Sequence, residues 1–165
     1  MRIRIVPSQS LILSLCVAIL VFASRPGAGD SSPHALPDAP PALINMCLIT
    51  NDVPGLAAFY EQVLQVQPHK EGDDYVEFRT GTAVLALFSA SAQERYMPGS
   101  TTPGQNHSAI LEFRVRDVDQ EYARLQNVVR SWVKKPATQP WGTRSIYFRD
   151  PDGNLVDFFT VASPK

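Results

Sequence analysis

Glu112 and Asp157 each interrupt a short apolar run, and two carboxyls held close together, one protonated and one charged, can serve as general acid and base. The competing account, and the favoured one at this level, pairs either carboxylate with Arg114 in an ordinary ion pair at a sheet surface. Cys47 offers a thiol, but no histidine is placed beside it, so it is expected to be a small buried hydrophobe rather than a nucleophile. His34, His69 and His107 fall at spacings that bring no pair to one helix face or to adjacent strand positions, and they are expected to be isolated surface histidines. His107 stands just before Ile110, where a rearranged linker would bring it to a site. Among the aromatics that could stack on a planar ligand, Tyr75, Tyr96 and Trp132 are expected to pack in core or rim. Trp141 sits in the loop Gln139-Pro140-Trp141-Gly142-Thr143 and escapes that fate by position.

The elements that would hold these residues occur twice. Asn45–Val53 and Ile110–Val118 each read as a strand running into an Asp-Val pair, with Asp52 and Asp117 as N-cap carboxylates. The helices expected over Val53–Gln65 and Val118–Asn127 repeat apolar residues every three or four positions: Leu56, Phe59, Tyr60 and Val63, then Val118, Tyr122 and Leu125. Strands are predicted at Val66–Lys70, Tyr75–Arg79 and Ala83–Phe88, and again at Val129–Lys134, Arg144–Arg149 and Leu155–Thr160. Asp150-Pro151-Asp152-Gly153-Asn154 is a turn, because proline fixes one negative φ and glycine accepts a positive one. Ser89–Asn106, rich in Pro and Gly, is read as the link between halves.

The chain has 165 residues, 44% hydrophobic and 19% charged, with a formal net charge of −1; this suits one packed domain and supplies no positive field for nucleic acid. The N-terminus differs. Arg2 and Arg4 precede an apolar run from Leu11 to Ala23, then a stretch rich in Pro, Gly, Ala and Ser. That is the layout of a secretory signal, and the run is shorter than the roughly 20 residues a membrane span needs. The expectation is a signal over 1–28, cut near 23–28, a flexible tether over 29–41 and a domain over 42–162, with modules at 42–90 and 107–162. The mature protein would be secreted or periplasmic, without a stable membrane span. Cleavage removes Cys16, leaves Cys47 and allows no intrachain disulfide.

The tandem strand-helix-three-strand modules, closed by Tyr147–Phe159 around the Asp150–Asn154 turn, resemble the vicinal-oxygen-chelate family of glyoxalase, bleomycin-resistance and dioxygenase relatives. The resemblance implies an α+β fold of two tandem βαβββ modules forming a curled half-barrel cleft. It also implies four cleft positions that carry metal ligands in the family's metal enzymes: Asn45, Ala86, Ile110 and Asp157. Glyoxalase-like members bind a divalent metal there with His and Glu, and dioxygenase-like members bind iron with two His and a carboxylate. Metal binding needs several donors converging at about 2 Å, and Ala86 and Ile110 have none to give. The inherited metal site reads as lost, so no metal or other cofactor is expected.

Strand alternation from those positions adds Cys47, Ile49, Val84, Phe88, Glu112, Arg114 and Phe159 to the cleft, and turns Leu111, Phe113 and Val115 toward the helices. Asn45, Cys47, Phe88, Ile110, Arg114, Trp141 and Phe159 are therefore the expected ligand-binding residues, with Glu112 and Asp157 the candidate catalytic pair. The leading reading is a metal-independent domain that binds a small molecule, such as an antibiotic or aromatic metabolite, between cleft aromatics. The alternatives are a lyase, isomerase or dioxygenase-like enzyme working through Glu112 and Asp157 with or without a divalent metal, and a noncatalytic structural or partner-binding domain. A homodimer in which two chains share each cleft is implied by the resemblance.

Overall fold

The computed structural model describes residues 42–161; the expected signal and tether lie outside them. The first module runs β1 (Asn45–Thr50), α1 (Val53–Leu64), β2 (His69–Glu71), β3 (Tyr75–Arg79) and β4 (Val84–Ser89). A short helix, α2 (Ala90–Tyr96), follows. The second module runs β5 (Ile110–Arg114), α3 (Val118–Leu125), β6 (Ser131–Thr138), β7 (Thr143–Arg149) and β8 (Leu155–Val161).

Both long helices begin where the Asp-Val pairs predict. Asp52 accepts a hydrogen bond from the Gly55 amide at 2.9 Å, and Asp117 accepts from Asp119 and Gln120 at 2.9 and 3.1 Å, so each carboxylate satisfies amides that the helix leaves open. A Cβ on Gly55 would lie 2.2 Å from Asp52 Oδ2, so the absent side chain is what lets this cap close. Helix α1 stops at Gln65, held left-handed at φ 54 with its amide bonded to Glu61 O. Glycine tolerates that conformation without the Cβ clash. Gln65→Gly is therefore expected to stabilise the fold by about 0.5–1 kcal/mol in urea unfolding, with the m-value unchanged.

Each module folds into its own four-stranded sheet, ordered β1-β4-β3-β2 and β5-β8-β7-β6. In each, the first strand pairs parallel with the fourth and the remaining ladders are antiparallel. This is the expected α+β architecture of tandem modules, and among the described residues no ladder joins one sheet to the other. The ideal alternation breaks in β6. Its register against β7 shifts between Trp132 and Lys134, and again between Lys134 and Ala137, where Pro136 has no N–H to give a ladder.

One hydrophobic cluster serves both modules. Leu48, Val76, Phe78, Leu85 and Leu87 come from the first sheet, Leu111, Ile146, Phe148, Val156 and Phe158 from the second, with Leu56, Tyr60, Val63, Val118 and Leu125 from the helices. Polar links cross the same boundary. Arg124 on α3 donates to the Gln62 and Val63 carbonyls at the end of α1, at 2.8 and 2.7 Å, a favourable place for a cation because those carbonyls have no helical partner. Tyr60 on α1 donates to Asp150 Oδ2 at 2.7 Å. The other faces of both sheets lie outside this shared core.

The segment Ser89–Asn106 is more than a link. Ser89 Oγ accepts from the Ala92 amide at 3.1 Å and starts α2, whose Ala92 and Gln93 are buried. The helix formers Ala90-Ser91-Ala92-Gln93-Glu94-Arg95 carried that signal, but a helix of seven residues is too short to display an amphipathic period. The boundaries of β2 and β6 also differ from expectation, since β2 begins only at His69 and β6 continues to Thr138.

Candidate functional site

Alternation brings Glu112, Asp157 and Tyr147 into one row across the second sheet. Glu112 is the register partner of Asp157, and Asp157 of Tyr147. The row continues to Lys134, the partner of Tyr147 on β6, because the bulge after Trp132 adds Val133 to that strand and swings Lys134 onto this face. Trp132 keeps its place in the core, its ring 4.7 Å from Tyr122 and 5.6 Å from Phe148.

Asp157 is the unusual member. It is 3% exposed, and its Oδ1 has no hydrogen-bond partner among the described residues. Burial pushes its pKa up to about 6, with the Glu112 charge acting the same way, while the hydroxyls of Tyr147 and Ser145 oppose the rise. Burial likewise raises Tyr147, reinforced by the charges of Asp157 and Glu112 and opposed by Ser145. Neither carboxylate is paired with Arg114 among the described residues, which removes the sheet-surface ion pair expected from sequence.

At the β5 edge the structure opens a groove of about 970 Å³ between the modules. It gathers Ile110, Glu112, Arg114 and Phe159 with Met46, Arg79 and Leu85. Ile110 is 47% exposed there. Asn45, Cys47 and Phe88 lie on the first sheet, where Cys47 faces Ala86 in register and the Phe88 ring meets Tyr75 at 6.3 Å. Cys47 is exposed rather than the buried hydrophobe expected. Trp141 stands 69% exposed on the turn between β6 and β7. His107 lies beside the Asp150–Asn154 turn, 3.9 Å from where a Cβ on Gly153 would be, and the neighbouring Asn106 donates to Asn154 Oδ1 at 3.0 Å.

Lys134, Gln139, Ser145 and Tyr147 were not singled out from sequence. Alternation from Asp157 onto β7 would have found Ser145 and Tyr147. Nothing in the sequence but Pro136 inside a strand hinted at the bulges that place Lys134. Gln139 is 5% exposed and sits where β6 turns into β7, its Oε1 accepting from Lys134 Nζ at 2.9 Å.

The sequence profile of the Glyoxalase/Bleomycin resistance protein/Dioxygenase superfamily matches residues 42–158. The chain belongs to this superfamily. An uncharacterised protein, YraH, of Bacillus subtilis (strain 168) is 27% identical over 125 residues, covering 72% of this chain and 98% of the relative. A glyoxalase/bleomycin resistance protein/dioxygenase from Nocardioides superposes with TM-score 0.65 at 22% identity, over 77% of this chain and 87% of that one. A glyoxalase/bleomycin resistance protein/dioxygenase family enzyme from Burkholderia phytofirmans PsJN gives TM-score 0.64 at 20% identity, over 71% and 96%. At those identities the two structures speak for the fold alone.

The resemblance assigns metal-ligand positions to Asn45, Ala86, Ile110 and Asp157. Here the donor set does not fit a metal. Ala86 and Ile110 supply no ligand atom, and no group of three His, Cys, Asp or Glu is gathered among the described residues. This glyoxalase-superfamily chain keeps one carboxylate of the four positions and surrounds it with hydroxyls and a second carboxylate.

Proposed function

We propose that this glyoxalase-superfamily domain binds a small organic molecule on the outer face of its second sheet, without a metal. The observation that carries the reading is the buried, unpartnered Oδ1 of Asp157. Leaving a buried acceptor unsatisfied costs about 1–3 kcal/mol, and such groups persist where a bound partner supplies the missing hydrogen bond. Glu112, in register beside Asp157, also lines the open groove with Arg114 and Phe159. The groove's volume is within the usual range for small-molecule sites.

Thermal-shift screening of the purified protein against aromatic antibiotics and aromatic metabolites tests the reading. At least one compound is expected to raise the melting temperature of the wild type. Asp157→Asn should weaken that compound about tenfold or more, the loss of one hydrogen bond to a charged group. If the exposed Trp141 closes over the ligand, Trp141→Ala weakens it too and leaves the stability of the free protein within about 0.5 kcal/mol. A panel without a single binder would discard the proposal.

A second reading has its own support. A carboxyl that titrates near 6 beside a second carboxylate and a tyrosine is suited to proton transfer, so the site would serve a metal-independent lyase or isomerase with Asp157 as base or acid. Turnover of a bound compound, abolished in Asp157→Asn, would replace the binding reading with this one. Export, and a homodimer in which two chains share each cleft, belong to the same proposal.

A further inference from the structure

We propose that Lys134 and Gln139 form an anion-binding end of this site, which takes the carboxylate of a small organic acid whose hydrogen-bond-donating group meets Asp157. The inference rests on the reading of the second sheet's outer face as the binding face, and goes on to name the chemistry of the ligand.

The orientation of the Gln139 amide is determined by its neighbour. Lys134 Nζ lies 2.9 Å from Gln139 Oε1, and an ammonium only donates, so the oxygen of Gln139 must face the lysine. Its nitrogen is thereby fixed on the other side. That Nε2 is buried and has no hydrogen-bond partner among the described residues, on a side chain that is 5% exposed. It is a donor without an acceptor, beside a lysine with three N–H bonds to give. The bulges in β6 bring both residues here: the first turns Lys134 to the face of Tyr147, and the second lets the strand reach Gln139, whose backbone closes the turn with Thr143 O at 2.6 Å. A positive charge and an orphan donor call for an anionic acceptor, and a carboxylate accepts from both.

The opposite need stands across the sheet. Asp157 Oδ1 is a buried acceptor without a hydrogen-bond donor among the described residues, separated from Lys134 by Tyr147 in the same cross-strand row. Two strand spacings of roughly 4.8 Å each separate the backbones of Lys134 and Asp157. A ligand that satisfies both carries a carboxylate at one end and an ammonium or hydroxyl several bonds away. The two orphan atoms, one donor and one acceptor, are complementary to one such molecule.

Isothermal titration calorimetry with 6-aminohexanoate, hexanoate and hexylamine tests the assignment. The wild type is expected to bind 6-aminohexanoate more tightly than either probe with a single charged end. Gln139→Glu retains a polar partner for Lys134 but replaces the donor with a second acceptor, and should weaken both carboxylate probes about tenfold or more. Lys134→Met should do the same, with thermal unfolding confirming that each variant is folded. Asp157→Asn should weaken 6-aminohexanoate and leave hexanoate unchanged. No binding of either carboxylate by the wild type, or equal binding by Gln139→Glu, overturns the subsite. The broader reading then survives if an aromatic compound binds in a manner dependent on Asp157, and falls with it if none does.

Discussion

Replacing Asp157 with Asn is expected to make the free protein more stable at pH 7 and to leave it unchanged at pH 4. The pKa of Asp157 is raised from 3.8 to about 6 by burial, with the Glu112 charge beside it adding to the rise. Below the unfolded value both states hold the proton and the group costs nothing. As pH rises from about 4 to 6 the unfolded chain releases the proton while the folded chain retains it, so stability falls across that window and levels off above it. A shift of this size corresponds to about 3 kcal/mol at full effect, and water around the exposed Glu112 reduces it to about 1–2 kcal/mol. Urea unfolding of both proteins between pH 4 and pH 8 measures it. The wild type should lose stability across the window and Asp157→Asn should not. Parallel curves would show that the carboxyl is not strained by its surroundings, and would remove the main physical reason to place function there.

The largest loss is expected at Asp150. This buried carboxylate accepts from Tyr60 Oη at 2.7 Å, from the amides of Asp152 and Asn154 at 3.0 and 2.8 Å, and from Asn154 Nδ2 at 2.8 Å. Asp150→Ala strips the acceptor from four donors in one step, and should cost about 3–5 kcal/mol, as when one member of a buried charged network is removed. Tyr60→Phe removes one of the four and should cost about 1–2 kcal/mol. Denaturant melts of the two single variants and of the double variant would check the logic. The double variant should be hardly worse than Asp150→Ala, because Tyr60 has already lost its acceptor. Full additivity would mean that the Tyr60 hydroxyl contributes independently of its bond to Asp150.

The fold could be read because its signals are local and occur twice. The Asp-Val pairs at Asp52 and Asp117 mark both helix starts, and proline and glycine mark the turn before β8. Strict alternation in Ile110–Arg114 and Leu155–Thr160 sorts core from outer face. These depend on neighbours in sequence, and tertiary packing did not override them. The candidate site was harder. Glu112 and Asp157 were identified as a pair and do stand in register, but Arg114 was given to them as a partner and lines the groove instead. Lys134 and Gln139 were invisible because a bulge is a property of two strands together, and a periodic reading of β6 alone assigns Lys134 to the wrong face. Asn45 and Cys47 follow from counting back from Asp52 and from strand alternation, and they stand on the first sheet, in register with Val84 and Ala86.

The bond from Tyr60 to Asp150 spans 90 residues of sequence. A contact of that range carries a loop-closure cost that packing of both halves must offset. The turn before β8 therefore has two supports: its backbone geometry is encoded locally, and its carboxylate is anchored by a residue of the other half. A change that loosens α1 is thereby expected to reach the strand that carries Asp157, through the turn that precedes it.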